Sequence, residues 1–139
     1  MIPFNKNILP ETKDTYIVGG TIRDLLLHRT PVDYDITVAG NPENFAEKMA
    51  ERTKGHVVKL GKPGQTTIRV ASGDKIFDIT SLNGASIEDD LKKRDFTINA
   101  MAYHVYSEEV IDCLGGLQDL ADKKVRMVSR KIFIKDPVR

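Results

Sequence analysis

Asp33 and Asp35 bracket Tyr34 at the start of a run that continues Ile-Thr-Val. At i and i+2 of a strand, two carboxylates project from one face and repel each other. A divalent cation relieves that repulsion, and Mg²⁺ commonly takes one or two carboxylates together with substrate phosphate oxygens. Upstream, Gly19 and Gly20 close the run Tyr16-Ile17-Val18 and stand just before an apolar-periodic segment containing Ile22, Leu25 and Leu26. Glycines let the backbone approach a ligand closely, and the first amides of a helix favour an anion. Each signal alone has a plain alternative, a tight turn for the glycines and solvated strand-end aspartates for the acidic pair. Their order is more specific, because an anion cradle ahead of a metal pair suits a nucleoside triphosphate held through its phosphates and metal. Two ions ~4 Å apart would activate an attacking hydroxyl and stabilise departing pyrophosphate in an in-line displacement, with no histidine base required.

The elements that must position these groups are legible as a mixture. Strands are expected over residues 16–18 and 33–38, with a helix over 21–28 between them. Asn41 is read as an N-cap and Pro42 as the first helical residue, with Phe45, Ala46, Met49 and Ala50 on one face and Gly55 as the stop. Further strands are expected over 56–60, 66–71 and 75–80. In the last of these, Asp78 is a mid-strand carboxylate, either a third acidic group near the Asp33/Asp35 pair or an aspartate on a solvated sheet face. Ser86-Ile87-Glu88-Asp89 is a capping box that starts a short helix. In the stretch 92–102, Asp95 and Asn99 lie four apart and would share a helical face. Residues 110–113 and 125–128 read as strands, 117–121 as a helical turn, and Ser129 as the cap of another helix. Before residue 15 a loose lead-in with a short helix is expected. This irregular alternation implies an α+β fold, a mixed β-sheet with helices packed on it.

Length and composition bound the rest. The 139 residues suit one domain, and 40% apolar with 29% charged residues is the balance of a soluble globular protein. No apolar run approaches the ~20 residues of a membrane span, and the start lacks a secretory signal's apolar core, so a cytoplasmic protein with no membrane partner is expected. Cys113, the lone cysteine, reads as a small packing residue rather than a nucleophile. The net charge of +1 is uneven: residues 121–139 hold seven Lys+Arg against two Asp+Glu. That tail would suit a nucleic-acid backbone or a triphosphate, or form a solvated helix face.

Three stretches together carry a resemblance. Gly19-Gly20-Thr21-Ile22-Arg23-Asp24, then Asp33-Tyr34-Asp35, then Arg94-Asp95-Phe96-Thr97-Ile98-Asn99-Ala100-Met101-Ala102 resemble the head domain of class II tRNA nucleotidyltransferases (CCA-adding enzymes) and bacterial poly(A) polymerases. That family belongs to the polymerase-β-like nucleotidyltransferase superfamily. Ile111-Asp112, Gly115-Gly116 and Asp119-Leu120 are similar to its hinge-region motif, and Asp136-Pro137-Val138-Arg139 to the start of its base-recognition motif.

The resemblance implies a polymerase-β-like nucleotidyltransferase fold, with residues 1–128 as the catalytic head and 129–139 as the start of a truncated neck helix. Gly19 and Gly20 would hold the triphosphate with Arg23 as a cation there, and Asp33 and Asp35 would bind two catalytic Mg²⁺ ions. Asp78 matches the third acidic, catalytic position. Arg94 and Asp95 would act at the sugar and phosphate side, with Asn99 holding its helix or contacting the ribose. Asp136 and Arg139 would offer an acceptor and donors to the base edge, whereas Asp24 would support local structure by pairing with a cation. The implied reaction is template-independent transfer of CMP or AMP from CTP or ATP to the 3′ end of tRNA, with pyrophosphate released. Departures are Lys93 where the family has a second arginine and Lys135 where it has a glutamate. The short connection from Asp78 to Arg94 resembles forms that add only CC or only A, or poly(A) polymerases. Family members continue into neck, body and tail domains, so weak activity or none is expected of this chain alone. The alternatives are a poly(A) polymerase of the same family, a non-catalytic nucleotide- or RNA-binding module, and nucleotidyl transfer to a small molecule or protein.

Overall fold

The computed structural model describes residues 4–10, 14–61 and 66–129. Strand β1 (Thr15–Val18) is buried throughout and runs directly into helix α1 (Gly19–Leu26), so the two glycines are the first residues of the helix rather than a turn ahead of it. Strand β2 (Asp33–Val38) follows, with the bounds expected from sequence. Helix α2 (Pro42–Thr53) is capped as read: the Asn41 side chain accepts from the amides of Glu43 and Asn44, and Phe45, Ala46, Met49 and Ala50 are its buried stripe. Lys54 ends it in the left-handed region at φ 56°. A hairpin of β3 (His56–Leu60) and β4 (Thr67–Ser72) leads into β5 (Lys75–Ser81). Helix α3 (Ile87–Leu91) starts at Ser86, whose hydroxyl accepts from the Asp89 amide. After it come a 3₁₀ turn (Thr97–Asn99), β6 (Ala102–His104), β7 (Glu109–Ile111) and α4 (Gly116–Ala121). The lead-in carries a 3₁₀ turn (Lys6–Ile8).

The strands form one seven-stranded sheet in the order β3-β4-β5-β2-β1-β6-β7. Its inner pair β2·β5 is parallel and the other neighbours are antiparallel. A parallel pair needs a long crossover, which α2 and the β3/β4 hairpin supply. The period of two sorts the side chains. Tyr34, Ile36 and Val38 of β2, Ile68 and Val70 of β4, and Phe77 and Ile79 of β5 join the buried stripe of α2 in the main core. Asp33 and Asp35 of β2 and Asp78 of β5 therefore share the opposite face. At β1 that face is covered, where Tyr16 and Val18 pack with Ile87 and Leu91 of α3 and with Ala100 and Ala102. The acidic residues sit where this cover ends. Among the described residues, no helix is long and apolar enough to cross a membrane.

Two expectations need correcting. Asp95 and Asn99 share no α-helical face, because the segment makes one 3₁₀ turn and then enters β6. Burial of Ala100, Met101 and Ala102 overrides helical spacing there. Residues 125–128 are not a strand of the sheet: Met127 makes an isolated bridge to Phe96, and the Val128 amide donates to the Asp95 carbonyl. That segment's hydrogen bonds go to the 95–97 loop instead. The helix expected after Ser129 lies outside the described residues.

Candidate functional site

The acidic pair and the glycine pair are joined by one hydroxyl. Thr21 Oγ1 accepts from the Asp35 amide at 2.8 Å and donates to the Asp33 carbonyl at 3.3 Å. The first turn of α1 is thereby pinned to β2 between the two aspartates. Gly19 sits in the left-handed region at φ +64°, and a Cβ built on it would lie 3.4 Å from Arg94 Nη1 and 3.5 Å from Asp35 Oδ2. Its missing side chain is the gap between a cation and a carboxylate. Asp33 is exposed and Asp35 half-buried, and Asp35 is in register with Asp78 on the neighbouring parallel strand. Burial, then the charges of Asp78 and Asp33, push the Asp35 carboxyl above its ordinary range, against the opposing pull of Arg94 and Arg69. Negative charge is crowded here.

Beside Asp35 opens a cavity of about 240 Å³ lined by Gly19, Gly20, Arg23, Asp35, Arg94, Asp95 and Asn99. Its two arginines are each held from behind. Arg94 gives Nε and Nη2 to Asp90 Oδ1 at 3.1 and 2.9 Å, while Asp90 Oδ2 accepts from the Asn83 amide at 2.8 Å. Asp90 is 5% exposed, so this is a buried carboxylate with each oxygen engaged. Arg23 pairs with Asp24 through Nε and Nη2 at 3.2 and 3.1 Å, and Nη1 donates to Asn99 Oδ1 at 2.8 Å. The other end of Asn99 donates to Asp95 Oδ1 at 3.5 Å, and that same oxygen accepts from the Phe96 amide at 2.7 Å.

The 3₁₀ turn that carries Asn99 is itself anchored. Asp119 of α4 accepts from Thr97 Oγ1 and from Arg126 Nε, and these two bonds hold its carboxyl below the usual range. Asp112 caps α4, accepting from the amides of Gly116 and Leu117 at 2.7 and 3.0 Å. The hinge-motif residues thus work as the underside of the site.

Of the residues expected from sequence, Gly19, Gly20, Arg23, Asp35, Arg94, Asp95 and Asn99 come together around one cavity. Asp33 shares the strand face of Asp35 without lining that cavity. Asp78 stands beside Asp35, and both its oxygens are taken by the Arg69 guanidinium, Nε to Oδ1 at 2.8 Å and Nη2 to Oδ2 at 3.1 Å. Asp24 pairs with a cation, as read. Asp136 and Arg139 lie outside the described residues. Sequence reasoning missed Thr21, Asp90 and Arg69. Asp90 is four residues before Arg94, a spacing that signals a pair; Arg69 is visible only once the β4·β5 register is known. Among the described residues, no group of three or more His, Cys, Asp or Glu side chains is assembled to hold a metal ion. The Asp33/Asp35 pair fits a hard divalent ion by donor type and by its crowding of charge.

The chain is similar to known proteins along most of its length. A family model described as the poly A polymerase head domain matches residues 15–85 and 81–126. An A-adding tRNA nucleotidyltransferase of Aquifex aeolicus is 39% identical over 139 residues, covering 89% of this chain and 17% of the relative. A CC-adding tRNA nucleotidyltransferase of Geobacter sulfurreducens is 37% identical, covering 89% of this chain and 29% of the relative. A solved tRNA-processing enzyme with CTP superposes with a TM-score of 0.81 at 39% identity, covering 91% of this chain and 35% of that one. The chain thus spans between about a sixth and a third of the length of the curated relatives it matches, 17% and 29% for these two.

Proposed function

The chain belongs to the poly A polymerase head-domain family, and on that premise we propose that it is the catalytic head of a template-independent RNA nucleotidyltransferase. It transfers CMP or AMP from CTP or ATP to the 3′ end of a tRNA and releases pyrophosphate. The observation that carries this reading is the single cavity in which the helix-opening glycines and two arginines meet Asp35. The tRNA substrate rests on the printed activities of the A-adding and CC-adding relatives.

Asp33 and Asp35 are the residues to hold two Mg²⁺ ions. When bound, Mg²⁺ eases deprotonation of the attacking 3′-hydroxyl and offsets the charge that develops on the leaving pyrophosphate. The chain's own residues bind and orient. Gly19 and Gly20 let phosphate oxygens reach the opening amides of α1, where the helix dipole adds to the attraction. Arg94, held by Asp90 through Nε and Nη2, turns Nη1 toward the Gly19 gap. Arg23 supplies the second cation. Asp95 faces the sugar side, and Asn99 acts by bridging Arg23 to Asp95, since both ends of its amide are spoken for. Base choice is assigned to Asp136 and Arg139, an acceptor and a donor group.

The test uses a longer protein that carries this head, with tRNAs ending before the CCA, after one C and after CC, each supplied with CTP or ATP, and reads the 3′ ends. Addition confined to C, addition of one A after CC, complete CCA addition and open-ended A tracts are distinct outcomes. The last is a second reading that the family description itself favours. No extension of any tRNA by either nucleotide sinks the proposal.

A further inference from the structure

Arg69 lies beside the acidic row but outside the cavity, and it meets one carboxylate with its whole fork. The register explains why. Arg69 of β4 is directly opposite Asp78 of β5, and Asp78 is directly opposite Asp35 of β2, so the three side chains stand in a row across one sheet face. On the far side of Asp35 comes the Gly19 gap and then Arg94. The acidic pair Asp78/Asp35 is bracketed by one guanidinium at each end. Arg94 is fixed by the buried Asp90, whereas Arg69 is fixed by Asp78 itself, with one N–H bond to each carboxylate oxygen at 2.8 and 3.1 Å. A bidentate pair of this kind sets the orientation of the carboxylate as well as its charge. With both oxygens so engaged and its charge partly offset by Arg69, Asp78 is a poorer third ligand for a cation at Asp33/Asp35.

We propose that Arg69 is a positioning residue that keeps Asp78 out of the metal's ligand set, leaving a two-carboxylate site that binds a divalent cation weakly until a nucleoside triphosphate adds its own oxygens. This rests on the reading of Asp33 and Asp35 as the metal pair. The reasoning is that affinity for a hard cation rises with the number and charge of oxygen ligands. A site with three free carboxylates holds its ion more tightly, whereas a site with two, shadowed by Arg69 and Arg94, takes it up together with a tetra-anionic substrate. Metal binding is then coupled to nucleotide binding through the oxygens and the negative charge that the triphosphate brings. The Arg69 and Asp78 side chains are 39% and 22% exposed, so the pair stands at the surface of the site, where it can be altered without opening the core.

The experiment is a Mn²⁺ titration of this chain without nucleotide, read as loss of the free-ion paramagnetic signal, with folding of each variant checked by its thermal melt. Arg69→Met frees Asp78 and tightens Mn²⁺ binding at least about tenfold. Asp78→Asn alone leaves the Arg69 charge unpaired and weakens binding by no more than about threefold, and the double variant returns to the parent value. Arg69→Lys keeps the charge, gives up the fork, and tightens binding by a smaller factor; it carries the test if the Met variant does not fold. Unchanged or weaker Mn²⁺ binding in the folded Arg69 variant overturns the proposal, as does loss of Mn²⁺ binding in Asp78→Asn. An Asp35→Asn arm, titrated with CTP present, separates this from the reading beneath it. If Asp35→Asn binds Mn²⁺ and CTP like the parent, the metal-pair assignment itself fails. If it loses them while Arg69→Met changes nothing, only the role of Arg69 fails.

Discussion

Asp35 is held in a state that disfavours folding without a cation. Its carboxyl is pushed up by burial first and by Asp78 and Asp33 after it, so the folded state binds that proton more tightly than the unfolded chain does. Stability from this group is present below the unfolded carboxylate range and is lost as pH rises through the raised folded value. Asp35→Asn is therefore expected to raise the melting temperature of the metal-free protein at about pH 7 and to change it little at about pH 3, where both states carry the proton. Mg²⁺ at a concentration high enough to load this weak site should raise the melting temperature of the parent and not of the variant. A lower melting temperature for Asp35→Asn at neutral pH would count against stored repulsion at this site. The sequence showed the pair because i and i+2 on one strand is a local relation. It did not show what surrounds the pair. Thr21 reaches Asp33 and Asp35 across the α1–β2 turn, and Arg69 reaches Asp78 only through strand register, so neither relation has a spacing that could be read in one dimension.

At the scale of elements, short pieces of structure owe their place to single side chains behind the site. Helix α3 is one turn long, and its use is to bring Asp90 beneath Arg94. Asp90→Asn keeps the shape and removes the charge, leaving Arg94 with a weaker partner in a buried setting. It should raise KM for the nucleotide about ten- to a hundredfold, the equivalent of ~1–3 kcal/mol, with a smaller effect on folding. Steady-state kinetics of the longer protein measures this, and an unchanged KM would show that Arg94 needs no such brace. Helix α4 offers a steric test. A Cβ on Gly116 would come within 2.3 Å of the Thr97 carbonyl and 2.9 Å of Met101 Cγ, distances that backbone cannot absorb without moving. Gly116→Ala should cost about 1–3 kcal/mol of stability by denaturant unfolding and disturb the turn that carries Asn99. The start and buried stripe of helix α2 were legible because cap, proline and apolar spacing are all local, whereas its end falls at Lys54 and not at Gly55. The 3₁₀ turn and β6 were not, because burial of Ala100 and Ala102 against β1 and α3, and of Met101 in the main core, is a tertiary fact.

For the whole molecule, the question is how much of a nucleotide this domain can hold. The cavity of about 240 Å³ is smaller than the ~300–1,000 Å³ usual for a small-molecule site. Its lining of glycine, arginine, aspartate and asparagine suits phosphate and sugar, and none of these seven residues offers an apolar or aromatic side chain on which a base could stack. The relatives' share of length points the same way, since this chain covers 17% of one and 29% of another. Phosphate contacts dominate attraction and are blind to the base, as in other nucleic-acid recognition. A chain ending at Ser129 is therefore expected to bind CTP, ATP, UTP and GTP with affinities within about threefold of one another, because each presents the same triphosphate and ribose to Gly19, Gly20, Arg23 and Arg94. A protein of the relatives' length should discriminate. Calorimetric titration of both forms with the four nucleotides measures the difference. If the shorter chain already prefers CTP or ATP by an order of magnitude, base reading lies within residues 4–129, and the assignment of that role to Asp136 and Arg139 falls.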